Sequence, residues 1–102
     1  MSSPHPLHAP HVLVVDDDPA VRDLLSEYLA DNEMRVTAVV SGVEMTKVLD
    51  EQAIDLVLLD LRLPGEDGMQ IARALRERAS VPIVLLTGKK DEADRVMGLE
   101  LG

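Results

Sequence analysis

VLVVDDDP, residues 12–19, decides how this chain is read. Val12, Leu13, Val14 and Val15 make a short apolar run, rich in β-branched residues, with the length and type of a buried strand. Asp18 followed by Pro19 is a helix cap with proline at the first helical position. A strand that passes straight into a helix opens a βα unit. Charge is left over: a solvated turn needs one or two acids, yet Asp16, Asp17 and Asp18 stand together. Three like charges at one strand end invite something positive to bind there.

Working outward, the alternation repeats. Val21, Leu24, Leu25, Tyr28 and Leu29 recur at helical spacing and predict one face of a first helix. Residues 35–40 read as a second strand, and Ser41-Gly42 as a break. Met45, Val48, Leu49, Gln52 and Ala53 repeat the helical spacing with one polar member. LVLLD, residues 56–60, is a third strand, and LPGEDG, residues 63–68, is dense turn chemistry. Residues 69–78 predict a third helix with Met69, Ala72 and Leu75 inward. IVLLT, residues 83–87, is a fourth strand, and a last helix is expected from near Asp91, with Ala93, Val96, Met97 and Leu101 on its inner side. Strands apolar on both faces and alternating with helices predict an α/β fold, a parallel sheet covered by helices. Four such units, (βα)4, end on Leu101-Gly102, which reads as a helix stop.

Composition narrows the function classes. The chain has 102 residues, room for one domain. Hydrophobic residues make up 46%, but Tyr28 is the only aromatic, so the core must be aliphatic. There is no cysteine, hence no disulfide, thiolate metal site or thiol nucleophile. A formal net charge of −9 repels phosphate backbones and argues against direct nucleic acid binding. No apolar run approaches the ~20 residues of a membrane span, and the N-terminus lacks the pattern of a secretory signal. A soluble cytoplasmic protein is expected. Residues 1–11, with three prolines and three histidines, read as a disordered arm. His5, His8 and His11 have no carboxylate or thiolate among them, so the arm is not read as a metal site.

Parallel α/β sheets bind ligands at the carboxyl ends of their strands, where strand order reverses. The first strand here ends in Asp16, Asp17 and Asp18, the third in Asp60, and the fourth in Thr87, followed by Gly88 and Lys89. Asp16, Asp17 and Asp60 brought close together repel, and at least one takes up a proton. A hard divalent cation removes that penalty, and a small all-oxygen set suits Mg²⁺. A carboxylate beside Mg²⁺ can attack phosphorus and form an acyl phosphate, with Thr87 donating to a phosphoryl oxygen. Each residue also has a plainer role: Asp18 as helix cap, Asp60 as a turn acid, Thr87 as a β-branched strand residue. The conjunction is what points to chemistry.

These residues resemble the receiver domain of bacterial two-component response regulators. VLVVDDDPAVRDLL is similar to its first strand, acidic pair and first helix, DLVLLDLRLPGEDGM to its phosphorylation segment, and VPIVLLTGKKDEADRVMGLELG to its fourth strand and helix. The resemblance spans residues 12–102 and implies a flavodoxin-like doubly wound sheet with strand order 2-1-3-4-5. It implies Asp60 as phosphoacceptor and Asp16 and Asp17 as the acidic pair, Asp17 binding Mg²⁺ directly and Asp16 partly through water. The backbone carbonyl of Arg62 is implied as a further ligand, along with Asp60 itself. Thr87 matches the hydroxyl that turns toward the phosphoryl group. Gly88 leaves that approach open, while Arg62 and Lys89 sit where the family tunes phosphoryl lifetime. A sensor histidine kinase is the implied phosphate donor. The DEADRVMGLELG segment is similar to regulators with winged-helix DNA-binding outputs (the OmpR/PhoB type), so the parent is expected to be a transcription factor.

The pattern departs from the family at its end. Complete receivers carry a fifth strand with an aromatic residue, a Lys-Pro pair and a fifth helix, and this chain is expected to be a truncated (βα)4 of the usual (βα)5. The expectations that follow are Mg²⁺ binding at least partly retained, phosphorylation impaired and switching more so, a bare edge on the fourth strand, and self-association or exchange of elements between copies. The chain is expected to be no enzyme beyond phosphorylation and dephosphorylation of its own Asp60. The competing reading is a receiver-like interaction domain that takes up no phosphate. A phosphatase of the haloacid dehalogenase type would carry both acids on one loop as DxD, and a flavin carrier would not place aspartates beside the flavin phosphate.

Overall fold

The computed structural model describes residues 9–78, 80–86 and 97–98. Four strands form: β1 (His11–Val15), β2 (Arg35–Val39), β3 (Leu56–Asp60) and β4 (Ile83–Leu86). Between them lie three helices: α1 (Pro19–Asp31), α2 (Gly42–Glu51) and α3 (Gly68–Arg78). A two-residue strand, β5 (Met97–Gly98), completes the sheet in the order β2-β1-β3-β4-β5. The first four strands are mutually parallel, and β5 runs antiparallel to β4. Strand order reverses at β1, which has β2 on one side and β3 on the other. This is the flavodoxin-like arrangement, and it opens a crevice beyond the carboxyl ends of β1 and β3.

Alternation along the strands divides the core in two. Leu13, Val15, Val57, Leu59, Ile83 and Leu85 turn to one face and pack with Met45 of α2 and Ala72 and Leu75 of α3. Val12, Val14 and Leu58 turn to the other face, under Leu25 and Leu29 of α1. Among the described residues, no buried hydrophobic side chain is aromatic. Burial on both faces explains why VLVV and LVLL read as unbroken apolar runs rather than alternating ones. The helix starts follow local chemistry. Asp18 accepts from the Ala20 N–H at 2.9 Å ahead of Pro19, and Ser41 accepts from the Glu44 N–H at 3.2 Å. Gly68 opens α3 against the β3–α3 turn, where a Cβ would lie 2.6 Å from Leu61 Cα.

The structure corrects several expectations. β1 begins at His11, inside the stretch read as an arm. The His11 N–H donates to Asp55 Oδ2 and its carbonyl accepts from the Asp55 N–H, both at 2.8 Å. Its Nε2 meets Thr37 Oγ1 at 2.7 Å, and the Pro10 carbonyl accepts from the Arg35 N–H at 2.8 Å. Side-chain and backbone partners on neighbouring segments thus carry the ladder past the apolar run. Residues 1–8 lie outside the described residues. On α1, Leu24 and Tyr28 are 65% and 62% exposed, because the strip of sheet beneath takes only Leu25 and Leu29. Gln52 caps α2 in extended conformation, so Gln52 and Ala53 fall beyond the helix and are exposed. Met69 is exposed because α3 turns Gly68, Ala72 and Leu75 inward, leaving Met69 a residue off that line.

Met97 and Gly98 were expected within the last helix. They pair instead with Leu86 and Leu85 at the outer edge of β4. That edge carries unpaired N–H and C=O groups, and a short strand satisfies part of them. The edge expected to be bare is therefore covered at Leu85 and Leu86. The remainder of the expected last helix, with Ala93, Val96 and Leu101, lies outside the described residues.

Candidate functional site

β1 and β3 pair in parallel from Val12–Leu56 to Val15–Leu59, so both strands deliver their next residue to the same end of the sheet. Those residues are Asp16 and Asp60. Asp17 follows in the turn. One carboxylate oxygen from each of Asp16, Asp17 and Asp60 lies within 4.8 Å of the others. Asp16 and Asp60 are buried, whereas Asp17 faces solvent. The three acids expected together from the strand ends are together. Asp18 is set aside as the α1 cap.

Backbone geometry fixes the acids. The Asp16 N–H donates to the Val39 carbonyl of β2 at 3.1 Å. Asp16 Oδ1 accepts from the Asp18 N–H at 2.9 Å, a local turn closed by the side chain. Asp60 Oδ1 accepts from the Arg62 N–H at 2.9 Å in the same manner. Arg22, in the first turn of α1, donates from Nη1 to the Asp16 carbonyl at 2.9 Å. Arg22 does not stand out in the sequence as a site residue. Its one signal was a basic residue in the first turn of a helix that directly follows a cluster of acids.

Burial is the largest influence on Asp16 and pushes its carboxyl up from 3.8 to about 6. The neighbouring charges of Asp60 and Asp17, and a hydrogen bond shared with Asp60, act in the same direction, against the stabilising Asp18 N–H. Bringing these acids together without a countercharge is therefore costly. The donor set, all hard carboxylate oxygens with one member solvent-facing, fits a hard divalent cation such as Mg²⁺ and offers no soft ligand. Arg62 lies in the exposed turn two residues after Asp60. Thr87, Gly88 and Lys89 follow β4 directly and lie outside the described residues. Leu86, the last residue of β4, is paired with Asp60.

The family model described as "Response regulator receiver domain" matches residues 12–102. Among curated relatives, the TorCAD operon transcriptional regulatory protein TorR of Escherichia coli is 40% identical over 92 residues, 90% of this chain and 40% of that protein. The transcriptional regulatory protein AruR of Pseudomonas aeruginosa is 47% identical over 98 residues, 91% of this chain and 40% of that protein. The chain thus spans about 40% of the length of these relatives. Among solved structures, the TorR receiver domain matches with a TM-score of 0.75 at 38% identity, covering 84% of this chain and 72% of that one. The Thermotoga maritima response regulator TrrA, in complex with Mg²⁺–BeF, matches with a TM-score of 0.74 at 32% identity, covering 83% and 75%. TrrA bound to the histidine kinase ThkA matches with a TM-score of 0.74 at 34% identity, covering 79% and 71%.

Proposed function

Because the chain belongs to the response regulator receiver domain family, we propose that it is the phosphoacceptor of a two-component pathway, taking a phosphoryl group onto Asp60. The observation that carries this is the convergence of Asp16, Asp17 and Asp60 at the carboxyl ends of β1 and β3. The Arg62 N–H on Oδ1 orients the Asp60 carboxylate, one oxygen of which is the nucleophile. In the transfer, an Asp60 carboxylate oxygen forms a bond to phosphorus as the bond from phosphorus to a kinase histidine nitrogen breaks. The imidazole leaves with the electron pair, and an aspartyl phosphate remains.

Mg²⁺ would be held by Asp17 directly, Asp16 partly through water, Asp60 and the Arg62 carbonyl, and would supply neutralising charge to the phosphoryl oxygens. In this reading the Thr87 hydroxyl would serve a phosphoryl oxygen, Gly88 would leave the approach open, and Arg62 and Lys89 would tune the lifetime of the acyl phosphate. The chain acts on its own Asp60 rather than on an outside substrate.

The donor is a sensor histidine kinase, a reading supported by the ThkA complex of the related TrrA. The parent is a transcriptional regulator, supported by TorR and AruR. The setting is the cytoplasm, and no helix among the described residues is long and apolar enough to cross a membrane. Self-association belongs to the same reading, supported by Leu24 and Tyr28, one turn apart and exposed on α1.

The test is intact mass after incubation with acetyl phosphate and Mg²⁺. The expected result is a gain of one phosphoryl group that is absent from Asp60→Asn and absent when Mg²⁺ is chelated. A parent chain that binds Mg²⁺ yet gains no mass would favour the interaction-domain reading instead.

A further inference from the structure

Asp17 is the acid with least to hold it. It is exposed, and among the described residues neither its backbone nor its carboxylate takes part in a hydrogen bond. Its position is set by the two peptide groups that flank it, each a rigid plane. The plane on its carboxyl side is fixed because the Asp18 N–H is bound to Asp16 Oδ1 at 2.9 Å. The plane on its amino side is fixed because the Asp16 carbonyl accepts from Arg22 Nη1 at 2.9 Å. Arg22 is itself anchored, half-buried in the first turn of α1, with its N–H donating to the Asp18 carbonyl at 3.0 Å.

We infer that Arg22 is a positioning residue for the metal site: by clamping the Asp16 carbonyl it sets the direction in which Asp17 presents its carboxylate to Mg²⁺. This rests on the metal-site reading under Proposed function. Arg22 touches neither metal nor phosphoryl group in this scheme. Its guanidinium acts through the peptide plane that joins the two acids. Removing it leaves the Asp16–Asp17 peptide free to rotate about its flanking bonds, and the acid that faces solvent loses its aim. Partners that orient metal ligands in this indirect way typically change metal affinity by about tenfold or more.

The experiment is Mg²⁺ titration by calorimetry on the parent chain, Arg22→Ala, Arg22→Lys and Asp17→Asn, with hydrogen exchange of the Asp18 amide in the metal-free chains as a second readout. The expected result is Mg²⁺ affinity about tenfold weaker in Arg22→Ala. Partial recovery is expected in Arg22→Lys, which keeps a donor but loses the planar fork. Exchange at Asp18 should quicken by more than the change in global stability explains. A merely structural arginine would lower the melting temperature and leave the Mg²⁺ affinity of folded chain unchanged, and that result overturns the inference. So does full recovery in Arg22→Lys with a deficit in Arg22→Ala that vanishes at high salt, which would mark a field effect. If Arg22→Ala does not fold, Arg22→Gln, too short to clamp but neutral and polar, answers the same question. Parent chain that takes up no Mg²⁺ overturns the metal-site reading and this inference together. Parent binding that Asp17→Asn abolishes, with Arg22→Ala unchanged, overturns the positioning role alone.

Discussion

Asp16 is the residue at which fold and chemistry pull against each other. It is 5% exposed, between two other acids, and its carboxyl is raised to about 6. The folded chain therefore binds more protons than the unfolded one between the ordinary carboxylate value and about 6. Its contribution to stability is present at acid pH and is lost as pH rises through about 6. In metal-free protein, Asp16→Asn should melt higher than the parent at pH 7, by roughly 1–3 kcal/mol in unfolding free energy, and the difference should shrink toward pH 4. Paired melts across that range check it. Comparing variant and parent at each pH cancels His11, whose lowered value, from burial first and then Arg35, slopes the opposite way. The acids themselves were legible in the sequence, because strand ends can be read from apolar runs and sheet chemistry gathers at those ends. Arg22 was not legible. No pattern in the chain says that its guanidinium folds back to a carbonyl rather than into solvent.

At the scale of elements, periodicity told which residues share a face but not how wide a groove awaits them. α1 offers Val21, Leu24, Leu25, Tyr28 and Leu29 at helical spacing, yet the sheet beneath fully buries only Leu29 of these. α3 is set by a close approach rather than by its large residues. Gly68 sits against the Leu61 backbone, and from there Ala72 and Leu75 point inward. The turn-rich LPGEDG segment announced a loop, but not that its last glycine has no room for a methyl group. Gly68→Ala places that methyl 2.6 Å from Leu61 Cα, an atom of the backbone that cannot swing aside. A loss of about 1–3 kcal/mol is expected in urea unfolding, with displacement of the turn that carries Arg62. β5 lay beyond sequence reasoning for a related cause. Its two residues pair with β4 through backbone groups, which leave no mark on side-chain pattern.

For the whole molecule, the two faces of the sheet are covered unequally. α2 and α3 share one face, and among the described residues α1 alone covers the other, where Val84 and Leu86 remain half-buried. Leu24 and Tyr28 extend this apolar side into solvent. Under the self-association reading, sedimentation velocity should show mass rising with concentration, and Leu24→Glu with Tyr28→Lys should hold the chain monomeric with its melting temperature little changed. A parent chain that stays monomeric throughout would remove the support those residues lend. The parallel order β2-β1-β3-β4 has a different kind of consequence. Asp16 and Asp60 lie far apart in the chain and meet only when β1 docks against β3, across β2 and two helices. Electrostatic repulsion therefore arises at the docking of β1 on β3, a long-range pairing of the kind that slows folding. Divalent cation present while the chain is being synthesised would act at that docking step, and would favour the folded population by mass action before any phosphoryl group arrives.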